Sequence, residues 1–239
     1  MHYEFIGIGS FFAKNNFHNN LLINDHILID CGFMAGHALN ASKRNFGQIE
    51  HIFITHTHAD HIGGIEECAF FHKFVKGGSK PKLYLPSPLF SKLWSYSLRG
   101  GLEDIDTGGA TITDYFDVIK VASEFEIAGV HFSIVPTFHV PNKFCCGLKI
   151  DKRLYFSGDT QFDADMVIKQ GTDAEIIYHD CQFFTGGIHA SLDELSTLPE
   201  DLRNKTTLMH LPDNYVNHLD KAREKGFSFV EQHKKYTLK

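Results

Sequence analysis

Residues 55–64 read Thr-His-Thr-His-Ala-Asp-His-Ile-Gly-Gly and directly follow the apolar run Ile52-Phe53-Ile54, which predicts a buried strand. A strand that ends there releases four ligand-type side chains into one tight loop: His56, His58, Asp60 and His61. Imidazole nitrogens and carboxylate oxygens suit zinc and related divalent cations. Alternation along the loop sends the first two ligands to one side and the last two to the other, so the stretch can serve two adjacent metals. Gly63 and Gly64 then allow a sharp turn into a helix. A polar loop that is rich in histidine by chance is the alternative interpretation.

Length and composition bound the class of protein. With 239 residues, of which 43% are hydrophobic and 22% charged, the chain predicts one sizeable core, and we assign residues 1–239 to a single domain. The sequence has no apolar run long enough to cross a bilayer and no basic-then-apolar leader at its start. We therefore expect a cytoplasmic protein without a membrane partner.

Net charge and cysteine usage argue against a nucleic-acid-binding protein and against a disulfide framework. The formal net charge of −6 argues against a long nucleic acid as partner, because proteins that bind DNA or RNA backbones normally present a basic face. A small anionic substrate remains compatible with this charge. The five cysteines are odd in number, lack CxxC spacing and include the adjacent pair Cys145-Cys146, so we expect reduced, mostly buried thiols.

Hydrophobic patterning predicts strands and helices along the whole chain. Residues 3–10 predict a strand that enters a glycine turn. We expect further strands at 21–23, 27–30, 50–55, 82–85, 118–121, 124–127, 130–135, 147–150, 153–156, 175–178 and 206–209. Helices are expected at 36–45, 65–75, 86–98, 163–170 and 218–225, with a short one opened by the capping box Ser191-x-x-Glu194. Residues 99–117 predict a loop with some short strand, and a basic tail closes the chain.

The arrangement of a hydrophobic strand followed by a ligand-type residue recurs downstream. His139, Asp159 and His210 each come at the end of such a strand. This dispersal is what a site at the edge of a layered sheet structure requires, because each strand then contributes a residue to one face. His131 and His2 compete with His139, but of these three only His139 follows the strand at 130–135.

The HxHxDH motif after a hydrophobic strand resembles the metallo-β-lactamase superfamily, and the resemblance extends along nearly the whole chain. It implies an α/β fold, the αββα sandwich, with two zinc ions per chain, manganese or iron being the alternatives. It gives the first metal to His56, His58 and His139 and the second to Asp60, His61 and His210, with Asp159 bridging the two. An aspartate at this bridging position argues against antibiotic hydrolysis. Asp30-Cys31-Gly32 resembles an Asp-x-Gly of such chains and is either a strand-end turn or a support for the metal loop.

The stretch 175–191 resembles the ribonuclease Z-like branch of that superfamily. Residues 176–181 are similar to its HEAT motif, and His189-Ala190-Ser191 is similar to the HST motif, whose histidine protonates the leaving oxygen. Phosphodiester cleavage needs such a donor, since an alkoxide leaves poorly unless it is protonated or held by a metal. The resemblance implies His189 as general acid and Asp60 as both ligand and water-orienting base, with His179 and Asp180 supporting the ligands. An exposed loop histidine is the alternative for His189.

The chain departs from ribonuclease Z between His139 and Asp159, where only nineteen residues stand in place of a long basic arm that grips tRNA. An arm-less chain with the runs YHDCQF and GGIHASLDELSTLP resembles the phage anti-Pycsar enzymes, which hydrolyse cyclic mononucleotides and so evade an immune signal. This resemblance implies a 3′,5′-cyclic-nucleotide phosphodiesterase, a homodimer, and the host cytoplasm if the chain is phage-encoded. Trp94, Tyr96 and Tyr115 either help to enclose a nucleobase or belong to the core or a dimer interface.

Three alternative functions would use the same ligands. A tRNA 3′-end endonuclease would cleave pre-tRNA and leave cyclic nucleotides intact. A lactonase or other acyl hydrolase would turn over esters and have little need for His189. A metal-binding protein without catalysis would turn over none of these substrates. The sequence leaves the base preference open among cyclic CMP, UMP, AMP and GMP.

Overall fold

Two seven-stranded sheets contain the strands of the computed structural model, which describes residues 1–105 and 108–238. The first unit comprises Met1–Gly7, Phe17–Ala122 and Gln232–Lys239, and the second unit comprises Ile8–Asn16 and Ser123–Glu231. Each unit contains one of the two sheets together with its own helices. The assignment of residues 1–239 to a single domain stays a prediction.

Both sheets are mixed. The strands are β1 (His2–Gly7), β2 (Asn20–Ile23), β3 (Ile27–Ile29), β4 (His51–Phe53), β5 (Lys82–Pro86), β6 (Asp117–Val121), β7 (Glu124–Ile127), β8 (Val130–Thr137), β9 (Cys145–Ile150), β10 (Leu154–Phe156), β11 (Ile176–Asp180), β12 (Thr206–Met209), β13 (Ser228–Phe229) and β14 (Lys235–Thr237). The first unit has the order β14-β1-β2-β3-β4-β5-β6 and the second β13-β12-β11-β10-β9-β8-β7. Pairs from β3 to β6 and from β10 to β13 are parallel. Each sheet therefore brings the carboxyl ends of several parallel strands to one edge.

The α-helices of the described residues are short, with four to eight residues each. The α-helices are α1 (Ala35–Ala41), α2 (Ala59–Ile62), α3 (Ile65–Phe70), α4 (Phe90–Leu93), α5 (Arg99–Leu102), α6 (Ala164–Gly171), α7 (Leu192–Leu195), α8 (Glu200–Arg203) and α9 (Leu219–Glu224). Turns of 3₁₀-helix lie at Phe46–Gln48, Ser87–Leu89, Ile112–Asp114 and Asp213–His218, and turns of π-helix at Phe71–Val75 and Trp94–Leu98.

Strand sequences explain the core of each unit. In the first unit, every residue of β2, β3 and β4 is buried, which suits the continuous apolar runs of strands covered on both faces. The predicted turn between β2 and β3 forms at Asn24 and Asp25, whose φ angles of 50° and 64° are left-handed values that these residue types tolerate. In the second unit, Val135, Tyr155 and Ile177 pack in one buried cluster.

Two predicted boundaries differ from the structure for identifiable reasons. The helix expected at 36–45 ends at Ala41, because Lys43 adopts a left-handed φ of 60° and the chain turns there. Part of the loop expected at 99–117 is helix α5, which Arg99 supports through an ion pair with Glu103 one turn later. Residues 106–107 of that predicted loop lie outside the described residues.

The structure adds a strand in the basic tail and decides between the alternatives that the sequence leaves open for Tyr115. The basic tail forms β14, which pairs antiparallel with β1 and stacks Tyr236 on Tyr3 with ring centroids 5.5 Å apart. Tyr115, considered for a nucleobase pocket, is 1% exposed and donates its hydroxyl to the carbonyl of Leu102, so it belongs to the core.

Within the described ranges, each helix is too short or too polar to span a bilayer. The five cysteines are all buried and none forms a disulfide in that part of the chain, as expected from their spacing. Burial raises the pKa of the Cys31, Cys68 and Cys181 thiols, which keeps them protonated at neutral pH.

Candidate metal centre

Asp30 organises the ligand loop of the first unit from a fully buried position directly after β3. Its Oδ1 accepts a hydrogen bond from the Thr55 backbone N–H at 2.8 Å, and its Oδ2 accepts one from the Thr55 hydroxyl at 2.8 Å. The same Oδ2 lies 2.8 Å from Nδ1 of His61. Because a carboxylate can only accept, His61 carries its proton on Nδ1, and Nε2 is the nitrogen that can bind a cation. Asp30 therefore fixes both ends of the loop 55–61.

Thr55 orients the next ligand in the same way. Its hydroxyl donates to Asp30 and so accepts from Nδ1 of His56, 3.1 Å away. Nε2 of His56 then carries the lone pair, and it lies 3.0 Å from Nδ1 of His58. These two nitrogens face one another, as ligands that converge on one cation do.

Asp60 and His61 form the other pair of the loop, on helix α2. Both are buried, and Nε2 of His61 lies 3.4 Å from Oδ2 of Asp60. The His56 and His61 rings are only 4.1 Å apart, so the two sides predicted from alternation are adjacent. Gly32 permits this arrangement, because a Cβ at that position would lie 2.0 Å from the carbonyl oxygen of Asp60.

In the second unit, three strands deliver His139, Asp159 and His210 to a common place. His139 follows β8 and donates from Nδ1 to the carbonyl of Ile188 at 2.7 Å, which leaves Nε2 as the ligand nitrogen. This Nε2 is 3.8 Å from Oδ2 of Asp159, and Nε2 of His210 is 3.3 Å from the same oxygen. His210 directly follows β12 with φ of 55°, a value that is uncommon outside glycine.

His189 lies beside these three residues and is held by Asp180. Its ring centroid is 4.7 Å from that of His139 and 4.7 Å from that of His210. Nδ1 of His189 donates to Oδ2 of Asp180 at 2.8 Å, so the ring presents Nε2 to whatever enters the site. The His189 side chain keeps 18% of its surface exposed, whereas Asp180 is fully buried.

Asp180 is the centre of a wider hydrogen-bond network at the end of β11. Its Oδ2 also accepts from the Thr160 N–H at 3.1 Å, and its Oδ1 lies 3.1 Å from Nδ1 of His179. Its own N–H donates to the hydroxyl of Ser157 at 3.0 Å. Because Ser157 and Thr160 flank Asp159, Asp180 also fixes the segment that carries this predicted bridging ligand.

The pKa directions follow from burial and these hydrogen bonds. Burial raises the pKa of Asp30 above its usual value, although His61 and Thr55 oppose the effect. For Asp180, burial acts in the same direction, but hydrogen bonds from His179 and His189 outweigh it and lower the pKa. Burial lowers the pKa of His139 and so favours the neutral imidazole that a metal ion requires.

The donor set in each unit suits divalent cations. Two zinc–nitrogen bonds of about 2.0–2.1 Å at a tetrahedral angle place the ligand atoms about 3.3 Å apart. The separations within the units are close to this value: 3.0 Å for His56 and His58, 3.4 Å for Asp60 and His61, and 3.3 Å for Asp159 and His210. Nitrogen and carboxylate ligands in buried surroundings favour zinc or a related transition metal.

All predicted site residues lie at these two places. The first unit brings together His56, His58, Asp60 and His61, and the second brings together His139, Asp159, His179, Asp180, His189 and His210. His179 contacts Asp180, the hydrogen-bond partner of the predicted acid His189. Sequence reasoning did not identify Thr55, Ser157 and Thr160 as supports. Their signal was a serine or threonine near a ligand at a strand end. The Thr55 hydroxyl donates to Asp30, the Thr160 N–H donates to Asp180, and the Ser157 hydroxyl accepts the Asp180 N–H.

The fold and the site define the class of protein. Over 98% of both chains, the structure is similar to the metallo-β-lactamase-fold protein YhfI from Bacillus subtilis, with a TM-score of 0.76 and 18% sequence identity. The chain thus has the metallo-β-lactamase fold, and the predicted fold class is confirmed. Histidine and aspartate residues that suit a metal site lie in both of its units.

The particular family follows from the sequence. The family model described as Anti-Pycsar protein Apyc1 matches residues 1–236, and the chain belongs to this family. An anti-Pycsar protein Apyc1 from Paenibacillus xerothermodurans is 38% identical over 244 residues, covering 98% of this chain and 96% of that protein. One from Bacillus phage BSP38 is 38% identical over 240 residues, covering 93% of each. The resemblance to anti-Pycsar proteins is therefore confirmed.

Proposed function

We propose that the chain is a metal-dependent phosphodiesterase that hydrolyses 3′,5′-cyclic nucleotides and so counteracts Pycsar immune signalling. The observation that carries the proposal is the second-unit constellation in which Asp180 holds His189 beside His139, Asp159 and His210. A phosphodiester needs both charge stabilisation at phosphorus and a proton for the leaving oxygen. This constellation has groups for both tasks, and membership of an anti-Pycsar family points to an immune nucleotide signal as the substrate.

The proposed cofactor is a pair of zinc ions, with manganese or iron as alternatives. The proposed ligands are His56, His58 and His139 for one ion and Asp60, His61 and His210 for the other, with Asp159 shared. When bound, such a pair activates water and stabilises negative charge on phosphoryl oxygens. The tautomers fixed by Asp30, Thr55 and the Ile188 carbonyl support this assignment, because each leaves a ring nitrogen able to accept a cation.

His189 is the proposed general acid and Asp60 the proposed residue that orients the attacking water. His189 would give the proton on Nε2 to the departing 3′ oxygen, while Asp180 keeps the ring in place through Nδ1 and stabilises the charged imidazolium. The partial exposure of His189 fits a group that must meet a substrate and then regain a proton from solvent.

The segment between His139 and Asp159 favours a small substrate. Those nineteen residues form the hairpin of β9 and β10, with positive φ at Asp151 and Lys152 in its turn. The segment therefore has no room for a basic tRNA-gripping arm. A small cyclic nucleotide is the favoured substrate over tRNA, and the net charge of −6 supports the same choice.

The test is a substrate panel. Metal-loaded protein is incubated with cyclic CMP, UMP, AMP and GMP, with pre-tRNA and with a lactone, and the products are resolved by chromatography. We expect linear nucleoside monophosphates from at least one cyclic nucleotide and little product from the other two substrates. Robust pre-tRNA cleavage or lactone turnover with inert cyclic nucleotides would overturn the proposal.

Assembly and location are part of the proposal. We propose a homodimer that acts in the cytoplasm, which is the host cytoplasm if the gene belongs to a phage. Sedimentation velocity of the purified metal-loaded protein tests the assembly, and a species of monomer mass at all concentrations would contradict it.

A further inference from the structure

A serine and a histidine outside the candidate metal centre have the arrangement of a nucleophile and its base. His72 is 2% exposed and belongs to the π-helical turn Phe71–Val75, whereas Ser79 is exposed. Gly77 and Gly78 have φ of 72° and 85°, and this left-handed pair reverses the chain so that Ser79 returns to His72. Oγ of Ser79 then lies 2.8 Å from Nδ1 of His72.

The hydrogen bonds of His72 fix which atom donates to which. Nε2 of His72 is 2.9 Å from the carbonyl oxygen of Phe46, and a carbonyl can only accept. Nε2 therefore carries the proton of the neutral ring, and Nδ1 accepts from the Ser79 hydroxyl. Serine, histidine and carbonyl thus follow the order of nucleophile, base and orienting group.

The surroundings of Ser79 select the charge of a reactant. The pair opens into a cleft of about 260 Å³ in the first unit, lined by Glu50, His51, Lys76, Lys80 and Lys82. Three ammonium groups against one carboxylate give the cleft a positive balance. The ammonium groups of Lys76 and Lys80 donate to the carbonyl oxygens of Gly47 and Thr113, which limits the movement of these two side chains.

We propose that Ser79 is a base-activated nucleophile that accepts an acyl group from activated esters, preferentially from anionic ones. Oγ of Ser79 attacks the ester carbonyl carbon while Nδ1 of His72 takes the hydroxyl proton. The carbon–oxygen bond to the leaving group then breaks, and the proton passes from His72 to the departing alcohol or phenol. The products are an acyl ester of Ser79 and the free leaving group, with His72 neutral again.

Serines of the same chain provide the internal reference. Ser87 and Ser91 are exposed like Ser79, and neither has a histidine partner among the hydrogen bonds of the described residues. Metal-loaded native protein is treated briefly with para-nitrophenyl acetate, and acetylation of each serine is measured by peptide mass spectrometry. A general base accelerates such a step about 10²–10⁴-fold, so we expect Ser79 to be acetylated at least about 10²-fold faster than Ser87. Equal labelling of the three serines, or labelling confined to lysines, overturns the proposal.

Two further arms test the base and the charge preference. His72→Gln should reduce Ser79 acetylation to the level of Ser87 while Ser87 itself is unchanged, with thermal unfolding as the check on folding. Acetylsalicylate, an anionic ester, should raise the ratio of Ser79 to Ser87 labelling above that seen with the neutral ester. Retained labelling in His72→Gln overturns the role of the base, and an unchanged ratio overturns the role of the lysines.

The acetylation of Ser79 is tested independently of the proposed phosphodiesterase activity. Ser79→Ala should lose the acetylated peptide and hydrolyse cyclic nucleotides at the native rate. If no cyclic nucleotide is hydrolysed, the labelling experiment still decides the reactivity of Ser79, because it measures the acyl group directly on the side chain.

Discussion

Asp30 in the first unit and Asp180 in the second each orient a histidine, but the two histidines have different proposed roles. Each is fully buried at the carboxyl end of a strand with a parallel neighbour, and each accepts a backbone N–H and an imidazole Nδ1–H. The imidazoles differ in exposure: the His61 side chain is 1% exposed, and that of His189 is 18% exposed. A buried imidazole suits a permanent metal ligand, whereas a partly exposed imidazole suits a group that exchanges protons with a substrate.

The two carboxylates also differ in their electrostatics. Among the described residues Asp30 has one imidazole partner, His61, and burial leaves the pKa of Asp30 raised. Asp180 has two, His179 and His189, whose hydrogen bonds outweigh the effect of burial and leave its pKa lowered. Asp180 is thus the stronger permanent anion, which is what an imidazolium at His189 would need beside it.

The largest expected effect concerns Asp159, the proposed bridging ligand. Asp159→Ala should lose at least one metal ion and nearly all activity, because Asp159 is the proposed bridge between the two ions. Metal content by mass spectrometry and turnover of the preferred cyclic nucleotide check this. Asp165→Ala, an exposed aspartate on α6, is the control and should keep both. Full metal content with full activity in Asp159→Ala would contradict the bridging role.

The next effect separates the acid from the ligands. His189→Ala should keep both metals and slow cyclic-nucleotide hydrolysis about 10²–10⁴-fold, the usual share of a general acid. With bis(para-nitrophenyl) phosphate, whose leaving group departs without a proton, the loss should be much smaller. A substitution that slows both substrates equally, or neither, would refute the assignment of His189 as acid.

The contrast between Asp30 and Asp180 can be tested directly with matched asparagine variants. Asp30→Asn should weaken metal binding about 10–100-fold, because it removes the group that orients His61. Asp180→Asn should keep the metals and slow hydrolysis, and adding it to His189→Ala should cost little more, since both act through one ring. Metal titration and turnover measure the two effects.

Either of two results would contradict the proposed difference between Asp30 and Asp180. If Asp180→Asn loses metal as readily as Asp30→Asn, the network through Ser157 and Thr160 serves Asp159 more than it serves His189. If Asp30→Asn keeps its metal affinity, the orientation of His61 does not depend on the carboxylate, and the Asp-x-Gly is a strand-end turn only.

Much of this arrangement could be predicted from local sequence because each ligand directly follows a hydrophobic strand. The loop 55–61 is compact in sequence, and Asp159 and His210 follow the strands predicted at 153–156 and 206–209. The sequence leaves the role of Asp30 open, since a strand-end turn and a buried hydrogen-bond acceptor have the same short motif. Only the three-dimensional placement of Thr55 and His61 against it distinguishes them.

The helical segments were harder to predict for a related reason. Residues 86–98 show one helical pattern, but the chain passes through a 3₁₀ turn, α4 and a π turn there. Such changes in helical type depend on packing against the sheet, which no spacing of apolar residues reveals. The hydrogen bond between Ser79 and His72 could not be predicted either. The two residues belong to no recognisable motif, and the turn at Gly77 and Gly78 brings them together.

The smallest expected effect is the pH dependence of stability in metal-free protein, and it has opposite signs for the two carboxylates. A raised folded-state pKa means that the stability from Asp30 is present below the ordinary value of 3.8 and is lost as pH rises through its folded pKa. A lowered pKa means that the stability from Asp180 is present above 3.8 and is lost as pH falls through its folded pKa. Each contribution changes by at most about 1.4 kcal/mol per pH unit.

Denaturant unfolding of chelator-treated protein is measured across this pH range. The free energy of unfolding of the native chain is subtracted from that of each variant, which isolates the two contributions. Relative to the native chain, Asp30→Asn should gain stability as pH rises above 3.8, and Asp180→Asn should gain it as pH falls below 3.8. Difference curves of the same sign would mean that the two histidines on Asp180 do not overcome its burial. The difference between Asp30 as the support of a metal ligand and Asp180 as the support of a general acid would then rest on the exposure of His189 alone.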